Sequence, residues 1–301
     1  LLIEMYEHGL ISGQETDGLE LQWGDEELTV KLMHIMARRE GSLGDLMAEG
    51  TTHMAKTVGN GAERFLVNFK GMGKALTAHS GGDSRVGLTT QSLSWALNFR
   101  GHGDRHRYPF LGNRVDQKKN NIDSLFDLAG HLGIPDGKIQ EIGREPEMIT
   151  PWAMRYIQDY NTVAYALGFC DRPVILNVLP IDRMTDLYNA AMGTDRTSTE
   201  LLQAGRRIWN LEKAWVTMQG QTRADDYPPD RFFEETMNYK PTWPPDAEEK
   251  TYSSLDRGTY EQILHRYYQS QGWDTVTGLP TPDTLREVGL DWLLAQYEDH
   301  M

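Results

Sequence analysis

The 301 residues carry a formal net charge of −14, with 39% hydrophobic and 25% charged residues, which suits a folded chain of one or two domains with a sizeable core. That acidic balance argues against nucleic acid or an anionic membrane surface as the main partner, and no apolar run approaches the ~20 residues of a membrane helix. A single cysteine excludes an internal disulfide framework and fits a reducing, cytoplasmic compartment.

The opening run, Leu1 to Glu7, is no signal peptide, because acidic residues interrupt it at once. It reads as the middle of a helix, as expected of an excerpt from a longer protein. From Glu26, residues Leu28, Leu32, Ile35 and Met36 fall on one helix face and Lys31, His34 and Arg38 on the other, with Gly41 and Gly44 punctuating its end. The stretch ERFLVNFKG (63–71) is the best strand candidate, and HSGGDSR (79–85) is the clearest linker. Residues 110–146 read as an insertion with a solvated DQKKNN tip, and RPVILNVLP (172–180) as a buried extended run. Leu201, Ala204, Ile208, Leu211, Trp215 and Met218 trace an apolar helical stripe, opened by a capping-box pair, Thr197 and Glu200. Tyr227–Lys250, rich in proline and acid, predicts an irregular surface crossing. Two more helices follow, one over Thr259–Ser270 burying Ile263, Leu264 and Tyr267, and one after Pro280-Thr281-Pro282-Asp283 carrying Leu285, Leu293 and Leu294. The chain is therefore expected to be all-α and multihelical, with under about a tenth of its residues in strands, against the usual 20–25%. Two helical domains are expected, 1–85 and 86–301.

Two segments draw attention as chemistry. RGHGDRHRYP (100–109) gathers two histidines, one aspartate and three arginines, but Gly101 and Gly103 oppose the helix that would turn His102 and His106 into a metal pair. No phosphate-binding glycine motif occurs. Cys170 lies in GFCDRP, behind apolar residues. On sequence physics alone such a cysteine reads as a small buried hydrophobe, whereas a reactive thiolate needs an electropositive, accessible setting.

Several stretches together resemble the aldehyde ferredoxin oxidoreductase family of tungsten–pterin enzymes. EMYEHGLISGQETDGLELQWGDEE (4–27) is similar to its helix–turn segment, and GSLGDLMAEG (41–50) follows at the expected place. FKGMGKALTAHSGGDSR and SLSWALNFRGHGDRH resemble its Lys-Gly and Asp-x-Arg elements and its Arg-Gly…His loop. LLQAGRRIWNLEKAW, DDYPPDRFFEE and YYQSQGWDTVTGLPTPDTLREVGL complete the series in order.

The resemblance implies the C-terminal helical portion of an enzyme that oxidises an aldehyde to the acid, using tungsten or molybdenum held by a bis-pterin and a [4Fe–4S] cluster, with ferredoxin as electron acceptor. Tyr165-Ala166-Leu167-Gly168-Phe169-Cys170 matches the segment that ends in the cluster's fourth thiolate, so Cys170 is the implied ligand. Tyr165, Leu167, Gly168 and Phe169 are the implied pterin-facing residues; Tyr165 stands where the family has aspartate, a phenol where a carboxylate would bond more strongly. His106, with His102 as its alternate, is the implied proton-transferring imidazole. The other three cluster cysteines and the first pterin motif of the family lie outside this chain. An aromatic acyl-CoA ring reductase of the same superfamily and a non-catalytic helical subunit are the alternative implied functions, and a homo-oligomer is left open.

Overall fold

The computed structural model describes residues 1–73, 90–99, 122–170, 179–239, 248–252, 254–297 and 299. Among these the chain is all-α, and only two short antiparallel hairpins interrupt the helices. The expected linker at 79–85, the DQKKNN tip and both histidines of the 100–109 segment lie outside the described residues, as does most of the 172–180 run.

The N-terminal helices α1 (Leu2–Glu7), α2 (Glu26–Arg38), α3 (Gly41–Ala48) and α4 (Thr51–Val58) close over a small core of Leu2, Met5, Ile11, Leu21, Leu28, Leu43, Met54 and Phe65. Asp25 caps α2 by accepting from the Leu28 amide at 2.8 Å. Leu28 is buried and Leu32 and Ile35 are half-buried as their spacing predicts, but Met36 is 40% exposed. The glycines differ from expectation. Arg39, not Gly41, is the left-handed cap of α2. Gly44 sits inside α3, where a Cβ would lie 2.6 Å from the Ile35 carbonyl oxygen, so it lets α3 fold back onto α2.

The expected strand at 63–71 begins as a 3-10 turn, Ala62–Phe65; within it only Asn68–Phe69 (β1) is a paired strand, bonded to Met72–Gly73 (β2). Lys70 and Gly71 connect them with positive φ values of 50° and 78°, the twist a two-residue hairpin turn requires.

The larger part of the chain is built around the helix Ile149–Ala166. Helix α5 (Thr90–Leu97) comes first. Helices α6 (Ile122–Leu132) and α7 (Asp136–Ile142) follow, within the stretch read as an insertion. Leu125, Leu128, Leu132, Ile139 and Ile142 are core residues packed on α8 (Ile149–Ala166). Helix α9 (Ile181–Met192) and the 21-residue α10 (Ser198–Met218) complete this layer. The predicted capping box of α10 is present, Thr197 accepting from the Glu200 amide and Glu200 from the Thr197 amide.

Helix α10 buries more than its apolar stripe predicts: Leu201 is buried and Ala204, Ile208, Leu211 and Met218 are half-buried, but a polar row is buried beside them. Its buried residues include Leu202, Gly205, Arg206, Trp209, Asn210, Lys213 and Thr217, while Trp215 is 58% exposed. The physical reason is pairing. Arg206 donates to Gln271, Lys213 to Asp226, and Asn210 accepts from Trp273 Nε1, so each of these buried side chains is paired, although Arg206 Nε has no partner of its own. Leu211 and Met218 pack instead against a satellite cluster of Leu285, Val288, Leu290, Leu293 and Tyr297.

The 227–250 segment is more structured than its composition predicts. It contains α11 (Arg231–Glu234) and β3 (Met237–Tyr239), which pairs with β4 (Lys250–Tyr252), and Arg231 and Phe232 are buried. Arg231 ties the two regions together. It donates to the Phe65 carbonyl at 2.8 Å and to Glu4 at 2.6 Å. Helix α12 (Arg257–Gln271) buries Tyr260, Leu264, Tyr267 and Tyr268, with Ile263 half-buried. The final helical pattern is broken in two. Thr281 caps α13 (Pro282–Glu287), Gly289 at φ +74° interrupts, and a 3-10 turn at Asp291–Leu293 leads into α14 (Leu294–Tyr297). Among the described residues no helix is long and apolar enough to cross a membrane.

Candidate functional site

Helix α8 is the central element, and its length is set by what it must bury. Thirteen of its eighteen residues, from Ile149 to Ala164, are buried between α6, α10 and α12. It ends in a glycine cap. Leu167 donates to the Val163 carbonyl, Phe169 N–H reaches back to the Ala164 carbonyl at 3.0 Å, and Gly168 adopts φ +73°. This is the helix-stop geometry that needs glycine at the left-handed position. Phe169 and Leu167 then fold back, half-buried, onto the core cluster of α6 and α8, which fixes the direction in which the chain leaves the helix.

Cys170 is the next residue, and it is exposed. The reading of this thiol as a small buried hydrophobe is therefore overturned. Tyr165, one turn earlier, is 36% exposed, and the space a Cβ on Gly168 would occupy is open. The end of α8 thus brings Tyr165, Gly168 and Cys170 to the surface within six residues on a rigid stem. Among the described residues no group of three or more His, Cys, Asp or Glu is arranged to hold a metal ion. One thiolate fits a cluster only as one of several ligands, the rest coming from elsewhere.

Behind this end, α8 carries a polar face that sequence reading missed. Asp159 is fully enclosed; burial pushes its carboxyl up to about 6, against the opposing charges of Arg206 and Arg155. Gln158 accepts from Tyr267 Oη at 2.7 Å, and Tyr267 Oη accepts from Trp209 Nε1 at 3.2 Å. Trp209 in turn packs on Phe99, ring centroids 4.4 Å apart. Phe99 ends a wholly buried run, 93–99, and Gln221 Nε2 donates to its carbonyl at 3.1 Å. The residue just before the 100–109 segment is therefore joined through Trp209 and Tyr267 to the helix that presents Cys170. The available sequence signal was the recurrence of Arg206, Asn210, Lys213 and Thr217 at helical spacing, a polar stripe where a solvated face would be assumed.

The chain matches the family model described as aldehyde ferredoxin oxidoreductase, domains 2 and 3, over residues 1–290. It is 29% identical over 296 residues to a tungsten-containing aldehyde ferredoxin oxidoreductase of Pyrococcus horikoshii, covering 96% of this chain and 41% of the relative. An aliphatic sulfonate oxidoreductase, WOR-like subunit, of Pyrococcus furiosus is 24% identical over 297 residues, covering 95% of this chain and 38% of that protein. The chain therefore spans about two-fifths of the length of the curated relatives it matches. In fold it is similar to a chain of the active-site complex BamBC of benzoyl coenzyme A reductase, with a TM-score of 0.63 and 20% identity, over 98% of this chain and 44% of that one. With an all-helical architecture and a family model that matches nearly end to end, the chain belongs to the aldehyde ferredoxin oxidoreductase family, whose second and third domains it carries.

Proposed function

We propose that the chain is the C-terminal portion of an oxidoreductase that converts an aldehyde to its carboxylic acid and passes the electrons to ferredoxin. The single observation that carries this is the exposed Cys170 on the glycine-capped end of α8, in a chain of this family. A thiol that served only packing would be covered by Leu and Phe side chains; a ligand to a group held partly by other residues has to face outward.

What the cofactors supply when bound is two-electron oxidation chemistry at tungsten or molybdenum and one-electron transfer through a [4Fe–4S] cluster. This chain's residues do the rest. Cys170 Sγ is the thiolate it contributes to the cluster. Gly168 leaves open space for close approach of the pterin, and Tyr165 offers it a phenol hydrogen bond, with Leu167 and Phe169 setting their direction from the core side. Converting an aldehyde and water to an acid releases two protons with the two electrons. His106, or His102 in its place, accepts one of them, a task suited to a group that titrates near neutrality. The same reading assigns the protein to the cytoplasm and divides it at residue 85 into two helical domains.

The test is Cys170→Ser in the full-length protein. Bound iron and acid-labile sulfide are expected to fall, and ferredoxin-linked turnover to drop by more than about tenfold, since even outer-shell changes at metal sites cost 10–100-fold. Iron and turnover at wild-type level would return Cys170 to a surface role without electron transfer.

A further inference from the structure

We infer that Asp159, enclosed in the stem that carries Cys170, is a proton-holding site linked by charge to the group bound at that thiol, taking up a proton when the group is reduced and releasing it when the electron leaves. The inference rests on the functional proposal for Cys170.

Asp159 and Asp226 are both buried, and they are built in opposite ways. Asp226 accepts from Lys213, Lys70 and Tyr268. Asp159 Oδ1 makes no hydrogen bond, and the two arginines beside it act on it as charges alone. Arg155 gives a guanidinium bond to the Ser270 carbonyl at 2.8 Å, and Arg206 gives two to Gln271, at 2.9 Å each. Other polar atoms of the same seam also lack partners: Arg155 Nε, Gln158 Nε2 and Thr162 Oγ1 on α8, and Arg206 Nε on α10. Native interiors leave few such atoms, and those that persist mark strain or a redox or catalytic role. Residues 155, 158, 159 and 162 share one face of α8 by their spacing.

The charged and titratable groups that bear on Asp159 are Arg155 and Tyr156 on α8 and Arg206 on α10. Glu287 of α13 acts on Arg155 and Glu141 of α7 on Tyr156, while α12 meets the arginines with the uncharged Ser270 and Gln271. Burial outweighs both arginines and pushes the carboxyl up to about 6.

Position supplies the coupling. Asp159 lies two turns, roughly 10 Å, below the end of α8, and Cys170 follows that end. Two unit charges roughly 10–15 Å apart at an effective dielectric of about 20 change each other's equilibria about tenfold. One electron added at Cys170 therefore raises the proton affinity of Asp159 about tenfold and brings its half-protonation close to neutrality. Oxidising one aldehyde with water releases two electrons and two protons. Asp159 takes one of those protons while one electron resides at Cys170, and gives it to solvent when that electron passes to ferredoxin.

The experiment compares the oxidised and dithionite-reduced forms of the full-length, cofactor-loaded protein at pH 7 by infrared difference spectroscopy. Wild type should gain the C=O band of a protonated carboxyl on reduction, and Asp159→Asn should lack it. Melting temperatures separate this role from a structural one. A raised native pKa means that ionising Asp159 costs stability, a cost absent below the ordinary carboxylate value of about 4 and complete above the native one. Asp159→Asn should therefore melt no lower than wild type at pH 8, keep its iron, and lose any advantage in acid. The same band in both proteins, or no band in wild type, would overturn the inference alone. A variant that melts lower and loses iron at pH 8 would also overturn it, by showing that the arginines need Asp159 as a structural partner. Iron that survives Cys170→Ser would remove the functional proposal, and this inference with it.

Discussion

Asp226→Asn is expected to lower folding stability by about 3–5 kcal/mol, the range for removing one partner of a buried ion pair. Asp226 is enclosed between two lysines, with Lys213 Nζ at 2.9 Å and Lys70 Nζ at 3.1 Å, and none of the three side chains is more than 3% exposed. Tyr268 Oη also donates to it at 2.8 Å, and Tyr260 Oη donates to its backbone carbonyl at 2.8 Å. Lys70 comes from the β1–β2 turn and further donates to the carbonyls of Ala96 and Asp225, so this one carboxylate joins the hairpin, α5, α10 and α12. An asparagine would keep the shape and leave two buried ammonium groups without the carboxylate they share. Lys70→Met should cost less, because it leaves a neutral Asp226–Lys213 pair. Burial opposes ionisation of Asp226, but the charges of Lys213 and Lys70 and the bonds from Lys213 and Tyr268 outweigh it and hold the carboxyl below the usual range. A lowered native value means stability that is fully present above the ordinary carboxylate pKa of about 4 and is lost as pH falls through the native one. Urea unfolding should therefore show wild type and Asp226→Asn far apart at pH 7 and converging in acid. A difference below about 1 kcal/mol at pH 7 would mean that the network contributes no more than an exposed pair does.

That network also explains what could be read from the sequence and what could not. Local signals were legible. The Thr197–Glu200 capping box and the Pro-Thr-Pro-Asp start of α13 both appear as their short-range chemistry requires. Periodicity failed where burial is decided by a distant partner. On α10 the apolar stripe through Trp215 was the obvious inner face, yet Arg206, Asn210 and Lys213 are buried because Gln271, Trp273 and Asp226 satisfy them. Similarly, the proline-rich 227–250 segment looks like a surface crossing until Arg231 meets Glu4, more than two hundred residues earlier. At the candidate site, Cys170 was legible as the chain's single thiol, whereas the role of Gly168 as the left-handed stop of α8 came only with the fold. Whether that thiol faces inward or outward depends on Phe169 folding back onto the core, a tertiary event with no local signature.

The second large effect is expected at Gly205, where α10 packs on the backbone of α8 with no room for a Cβ. A Cβ there would lie 2.3 Å from the Asp159 carbonyl oxygen and 2.8 Å from Val163 Cγ2. The first neighbour is backbone in the middle of a buried helix, so no rotamer change relieves the overlap; the two helices have to separate. Overpacking of this kind costs about 1–3 kcal/mol or more, and the helix propensity regained on replacing glycine by alanine offsets at most about 1 kcal/mol of it. Gly205→Ala should therefore lower stability by about 2 kcal/mol. Gly130 on α6 supplies the control: a Cβ there meets nothing within 4 Å, so Gly130→Ala should raise stability by the propensity term alone, about 0.5–1 kcal/mol. Because α8 is the stem of Cys170, forcing it away from α10 displaces the thiol as well, and Gly205→Ala should reduce iron loading in the full-length protein where Gly130→Ala does not. Two alanines that both raise the melting temperature would show that the helices have room to yield, and that Cys170 is not held in place by the contact between α8 and α10.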